Sequence, residues 1–370
     1  MQFDPWNVDG DIDYNKLVKE FGIEPMKELP QVFRDNVLFR RNVVFAHRDF
    51  GRILARIRDE KPFVMMTGLM PTGKMHIGHM LVVQQMRFYQ SLGAKLYICV
   101  ADVEAYHARG ISLNEARRIA VEEYLLNYIA LGLEPDNVDV YFQSDRSVDG
   151  AKGGAFCRLQ DLLGRAATFS EFMAVYGEVS PGKMISAVLQ ASDILHAQLP
   201  EFEGKVPVVV PVGIDQDPHL RLTRDMAKRI KEYSLIAPAS TYHLFMPGLG
   251  GGKMSASKPE SHVALTDTPK QAERKINKYA FSGGQPSVEE HREKGGDPDV
   301  DVSFQYLKYW FEPDDETLQQ LHDDYKSGRL LTGELKKHLI GKLKPFLEDL
   351  ATKRESARDR VSEFLPNGKI

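Results

Sequence analysis

The chain has 370 residues, enough for two domains, with 42% hydrophobic and 27% charged residues, an ordinary balance for a globular protein. No apolar run approaches the roughly 20 residues that span a bilayer. The start Met1-Gln2-Phe3-Asp4-Pro5-Trp6 lacks the basic-then-apolar order of a secretion signal. Cys99 and Cys157 make neither a disulfide framework nor a zinc-ligand set, and the net charge of −4 argues against wholesale coating of nucleic acid. A cytoplasmic, reducing compartment is expected.

Residues 1–60 are polar and mixed and read as an N-terminal extension, with short helices expected at residues 13–21 and after Asp49. Residues 62–68 are an apolar run ending in Thr67-Gly68, which predicts a buried strand; residues 79–92 follow with helical character. Residues 95–102 read as the next strand, with Asp102 at its C-terminal end. Ser112-Leu113-Asn114-Glu115 is a capping-box pattern that opens a helix to about Ala130. Residues 138–144 and 206–213 are further buried-type strands. This alternation predicts an α/β catalytic unit over residues 61–266, a doubly wound, Rossmann-like parallel sheet with a connecting segment at about 145–205. Ligands then belong at the C-terminal ends of the strands.

From residue 269 the strand-like runs stop. Leu335, Leu339, Leu343, Phe346 and Leu350 fall at helical spacing, so residues 267–370 are expected to form an α-helical domain. Within it, residues 326–360 carry ten Lys/Arg against five Asp/Glu. That excess suits either a solvated helix surface or a local nucleic-acid face.

Two loops carry the chemistry. Pro71-Thr72-Gly73-Lys74-Met75-His76-Ile77-Gly78-His79 puts two histidines three apart at the first strand–helix junction. That spacing sets both imidazoles on one side. A helix N-terminus offers free N–H groups and partial positive charge to a phosphate, and Gly78 lets an adenine or ribose approach the backbone. Alone, the pair reads as capping or packing histidines. Gly251-Gly252-Lys253-Met254-Ser255-Ala256-Ser257-Lys258 supplies mobile glycines, cations and hydroxyl donors, and alone is a flexible turn. Residues 68–74 also fit the glycine-rich part of a P-loop NTPase motif, but Met75 stands where Ser or Thr must ligate Mg²⁺.

In this order around alternating strands and helices, His76-Ile77-Gly78-His79 and Lys253-Met254-Ser255-Ala256-Ser257 resemble the two signatures of the class I aminoacyl-tRNA synthetases, with Ala256 replacing a usual lysine. The resemblance sharpens toward the tryptophan-specific members of archaeal and eukaryotic cytosolic type. Residues 213–225, opening Gly213-Ile214-Asp215-Gln216-Asp217-Pro218-His219, carry it, as do Phe45-Ala46-His47-Arg48-Asp49 and Ala280-Phe281-Ser282-Gly283-Gly284. It spans nearly the whole chain.

This resemblance implies ligation of L-tryptophan to tRNA(Trp) with ATP through a tryptophanyl-adenylate. Mg²⁺ would bridge the phosphates and needs few protein ligands, so no dedicated metal site is expected. A homodimer and an anticodon-reading helical domain are implied as well, with basic residues of 326–360 on tRNA phosphates. His76, His79, Lys253, Ser255 and Ser257 are implied in catalysis; Pro71, Thr72, Gly73, Lys74, Gly78, Met254 and Lys258 in ATP binding; Met66, Glu104, Gln190, Asp193 and Gln216 in tryptophan binding. Lys258 or Lys74 replaces the cation lost at Ala256.

Asp193, three residues after Gln190 on one helical face, is placed to accept the indole N–H, a donor only; the plain alternative is an N-cap or surface aspartate. Eukaryotic relatives have a tyrosine and a glutamine where this chain has Met66 and Cys99, so the indole acceptor stays open among Asp193, Glu104 and Gln190. Residues 145–205 are too short for an editing domain. A tyrosine-specific synthetase is the nearest alternative, opposed by Met66 and the run at 219–225. A non-catalytic paralogue is opposed by intact His76, His79 and Lys253.

Overall fold

The computed structural model describes residues 14–252, 254 and 258–365. Among these residues, seven strands make one sheet: β1 (Glu24–Pro25), β2 (Val44–Arg48), β3 (Val64–Leu69), β4 (Lys95–Val100), β5 (Val138–Phe142), β6 (Val208–Gly213) and β7 (Ala239–His243). Their spatial order is β1-β2-β7-β6-β3-β4-β5. The run from β7 to β5 is parallel throughout. β2 joins β7 antiparallel and β1 joins β2 antiparallel. The expected parallel sheet is present, and β1 and β2 extend its edge.

Period-two alternation decides the two faces. Val64, Met66, Tyr97, Cys99, Val208 and Val210 pack in one core. Met65, Leu96, Ile98, Val100 and Val209 pack in the other. Full burial of each such side chain contributes about 1.5–3 kcal/mol, and a one-residue slip would exchange the faces, so the register is strongly specified. Strand β3 lies between β6 and β4, and the winding reverses there, which leaves a crevice at its C-terminal end.

Helices α1 (Met80–Ser91) and α2 (Asp102–Arg109) border this crevice; after α3 (Gly150–Ala166), which packs behind the lining, so do α4 (Phe169–Tyr176), α5 (Pro181–Leu195) and α6 (Asp217–Arg229). Ser112 caps the next helix as expected, its hydroxyl accepting the Glu115 N–H at 3.3 Å. The helices after β7 include α7 (Pro269–Tyr279) and the long α8 (Thr332–Ala357). Leu335, Leu339, Leu343, Leu347 and Leu350 of α8 are buried, and Phe346 meets Phe311 edge-on with centroids 5.4 Å apart. The same apolar core runs on beneath α1, so the two regions share one interior.

The end of α8 and the residues after it return to the sheet region: Arg354 donates to the Glu122 carbonyl, while Arg358 pairs with Glu122 and Arg360 with Glu134. Much of the basic excess in 326–360 is neutralised this way, with Arg329, Lys342, Lys344 and Lys353 also paired to carboxylates. Among the described residues, no helix is long and apolar enough to cross a membrane.

Candidate functional site

A cavity of about 1080 Å³ opens at the switch point of the sheet. Met66 from β3, Glu104 from α2, Gln190 and Asp193 from α5, and Gln216 from the turn before α6 all line it. The sequence expectation for these five therefore converges on one space.

Asp193 is only 2% exposed and lies inside α5, whose N-cap is Ser180, so it is neither a cap nor a surface residue. Its Oδ1 accepts the Tyr141 hydroxyl at 2.9 Å and its Oδ2 the Gln143 amide at 2.7 Å. The same Gln143 nitrogen donates to Glu104 Oε1 at 2.8 Å. Burial pushes the Asp193 carboxyl up to about 6. Burial, then the charge of Asp193, pushes Glu104 up to about 8. Behind Asp193, His196 Nδ1–H donates to the Asp193 carbonyl at 2.9 Å from a cage of Tyr97, Tyr141, Phe156 and Phe202. Burial lowers this imidazole to about 3, so it is neutral.

Sequence reasoning missed Tyr141, Gln143, Tyr176 and His243, and assigned no role to His219. Tyr176, His219 and His243 line the cavity; the Tyr176 hydroxyl lies 3.0 Å from His219 Nδ1, and His243 Nδ1 lies 3.2 Å from the buried Gln85 amide. Tyr141 and Gln143 fall at the C-terminal end of β5, where strand-end ligand rules would have pointed.

The first signature sits beside this cavity and is not part of its lining. The His76 and His79 rings face one another at 3.8 Å between centroids, on one side as the spacing predicts, and the His76 N–H donates to His79 Nδ1 at 3.1 Å. The His262 ring is 4.8 Å from His76. Burial holds His76 well below its ordinary range and lowers His79 to about 4, so both are neutral near pH 7.

Backbone bonds pin this motif to the segment after the second loop: Ile77 N–H to Val263 O at 3.1 Å and Leu265 N–H to Met75 O at 2.9 Å. The Met75 side chain is wholly buried in the core, which closes the P-loop reading. Over Gly78, the space expected for adenine or ribose is filled by this chain's own groups. A Cβ there would lie 2.9 Å from the Met254 sulfur and 3.1 Å from the His76 ring. Any larger residue would have to displace Met254.

In the loop after β3, Pro71 is buried, Gly73 is half-buried, and Thr72 and Lys74 are exposed; Lys258 is exposed as well. Lys253, Ser255, Ala256 and Ser257 lie outside the described residues. Among the described residues, no group of three or more His, Cys, Asp or Glu is gathered to hold a metal ion.

A cavity with buried acceptors in its wall suits a small molecule that carries hydrogen-bond donors. The sequence pattern of the tRNA synthetases class I (W and Y) matches residues 58–348. The chain is 42% identical to a tryptophan–tRNA ligase of Methanocaldococcus jannaschii over 99% of this chain and 98% of that one. It is 43% identical to one of Methanopyrus kandleri over 98% and 96%. Among solved structures, the tryptophanyl-tRNA synthetase of Aeropyrum pernix K1 superposes with a TM-score of 0.89 at 42% identity, covering 96% of this chain and 97% of that one. That of Plasmodium falciparum gives 0.83 at 32%, covering 95% of each.

Proposed function

The chain belongs to the tRNA synthetases class I (W and Y), and from that premise we propose that it ligates L-tryptophan to tRNA(Trp) with ATP through a tryptophanyl-adenylate. The observation that carries the substrate is the buried Asp193 carboxylate in the wall of a cavity also lined by Met66 and Cys99. An acceptor-only group suits the indole N–H, which can only donate. Asp193 takes that N–H, Glu104 and Gln190 hold the ammonium, and Gln216 orients the carboxylate.

The substrate carboxylate attacks the α-phosphate of ATP, which arrives as its magnesium complex. The carboxylate-to-phosphorus bond forms as pyrophosphate leaves. Charge grows on the phosphate oxygens, and donors fixed in advance around them are the main catalytic lever. His76 and His79, as neutral imidazoles, supply N–H donors. Lys253, Ser255 and Ser257 hold the pyrophosphate end, with Met254 and Lys258 beside them. Pro71, Thr72, Gly73 and Lys74 form the nucleotide wall. The 2′-hydroxyl of the terminal tRNA adenosine then attacks the carbonyl carbon of the adenylate, the carboxyl–phosphate bond breaks, and AMP leaves as the ester forms.

The helical domain reads tRNA, and the working protein is a cytoplasmic homodimer. Pyrophosphate exchange with each of the twenty amino acids tests the assignment. Exchange driven by tryptophan is expected, and exchange driven by another amino acid instead would overturn it.

A further inference from the structure

We propose that Gln143 is a positioning residue for the amino-acid substrate, an uncharged bridge that keeps the Asp193 and Glu104 carboxylates in place as two separate acceptors. The proposal rests on the functional reading above. It begins from geometry. Gln143 follows β5 directly and is 1% exposed. One amide nitrogen has two hydrogens, and here both are used, on Glu104 at 2.8 Å and Asp193 at 2.7 Å. Its Oε1 accepts the Glu104 backbone N–H at 3.3 Å. A flipped amide would set its oxygen against two carboxylates and its hydrogens against an N–H, so only one orientation satisfies the site.

Tyr141, two residues earlier and on the same side, donates to the other oxygen of Asp193. Tyr141 and Gln143 take one site on each oxygen, and the Cys99 thiol takes a third on the same carboxylate. A carboxylate has about four acceptor sites, so capacity remains for a donor in the cavity.

The two acids lie close enough to disfavour each other's ionised form, and each becomes a hydroxyl donor once protonated. A protonated Asp193 would offer a donor to a donor. A protonated Glu104 would lose its attraction for an ammonium. The Gln143 hydrogen bonds favour both anions against burial, which raises both acids. Glu104 is still largely protonated near pH 7 before substrate binds, and an arriving ammonium supplies the opposite charge that completes its ionisation. An amide does this without a titration of its own. The other groups facing the pair are the Cys99 thiol from β4, the Tyr141 hydroxyl and the Tyr176 hydroxyl from α4, all held protonated by burial. Arg146 is stacked 4.0 Å over Tyr141 and paired with Asp139, while Asp102, on the helix of Glu104, is held by Ser144. His196 is neutral.

The test is tryptophan-dependent pyrophosphate exchange from about pH 6 to 8.5, the span in which these carboxyls titrate, on wild type, Gln143→Met and Gln143→Glu. Gln143→Met is expected to raise the KM for tryptophan roughly tenfold near neutrality, with kcat moving less. Its acid limb in kcat/KM shifts to higher pH, and the deficit shrinks toward the alkaline end. Gln143→Glu, nearly identical in shape, adds a third acid and shifts the limb further. Since it preserves packing, it decides the matter if Gln143→Met fails to fold. A KM unchanged in both variants, or raised equally at every pH, overturns the proposal and leaves Gln143 a packing residue. A wild type that uses another amino acid in place of tryptophan is a separate outcome: it removes the functional reading and this proposal with it.

Discussion

The Arg48 guanidinium donates to both carboxylate oxygens of Asp217, at 3.0 and 3.2 Å, and ties strand β2 to the first turn of α6. Asp217 is fully buried and also takes the Tyr242 hydroxyl and Arg221. Gln216, its neighbour, lines the cavity, so the N-terminal edge of the sheet braces one wall of the site.

Removing Arg48 would leave a buried charge short of its partner, a loss of about 3–5 kcal/mol for such pairs. Arg221 is half exposed and stays in place, so the low end applies. Arg48→Ala is expected to lower the unfolding free energy in urea by about 3 kcal/mol. A loss below about 1 kcal/mol would place the pair with ordinary surface bridges.

Acid stability follows from neutral histidines. Burial lowers His79, His219 and His243 to about 4 and His196 to about 3. The unfolded chain binds these protons near pH 6.5. Their contribution is therefore full above about pH 6.5 and is lost as pH falls through the folded values. Glu104 and Asp193 act the other way, since their raised values favour the folded state as pH falls. His76 and His47 are lowered by burial as well, and Asp102 is raised, so the lowered histidines outnumber the raised acids. Unfolding free energy is expected to fall between about pH 6.5 and 4, with a shallower slope in His196→Phe, whose ring stays in the aromatic cage. An unchanged slope in that variant would remove His196 from the account.

The parallel strands were legible because most are short apolar runs bounded by turn residues. β7 was not, because its Ser240 and Thr241 are polar yet buried, and Ser240 is satisfied by the Tyr242 hydroxyl at 2.7 Å. Hydrophobicity does not flag such a strand. Met66, Glu104, Gln190, Asp193 and Gln216 were reached through resemblance. Gln143 resembles a polar turn residue until α5 and α2 bring two acids against it. The contact of Met254 with Gly78 joins residues far apart in sequence, which no local pattern encodes.

His76→Ala or His79→Ala is expected to slow single-turnover adenylate formation by on the order of 10²–10³, the scale for one lost transition-state donor. Tryptophan affinity is expected to move little. Lys253→Ala should slow the same step but spare transfer from preformed adenylate to tRNA. Near-normal adenylation in the histidine variants would reduce the pair to packing residues, and equal damage to both steps would contradict the role of Lys253.

The basic stretch at 326–360 is largely paired, which narrows the tRNA expectation. Lys336 is half-buried and points at the Asn277 carbonyl at 3.5 Å, whereas Lys337 is exposed. Neutralising both is expected to raise the KM for tRNA and flatten its salt dependence, with Lys337 carrying most of the effect. Tryptophan-dependent exchange should not change. An unaltered salt slope would make them ordinary solvated helix residues.

Selectivity for tryptophan over tyrosine depends on what the cavity offers each side chain. A phenol oxygen must donate and accept; an indole N–H needs one acceptor and room for a second ring. Met66 is apolar and adaptable beside that ring. Asp193 is buried, and Tyr141 already presents a phenol hydroxyl to it from within the protein. Tryptophan-dependent exchange is expected to exceed tyrosine-dependent exchange by at least roughly 10⁴, the range for sites built around a specific polar group. Asp193→Ala removes the acceptor and strands the Tyr141 and Gln143 donors, so tryptophan binding is expected to weaken by about 1–3 kcal/mol and the ratio to erode. Isothermal titration of tryptophan against the variant separates this from a loss of folding. Unchanged binding would move the indole acceptor to Glu104 or Gln190, and a wild-type preference for tyrosine would end the tryptophan reading.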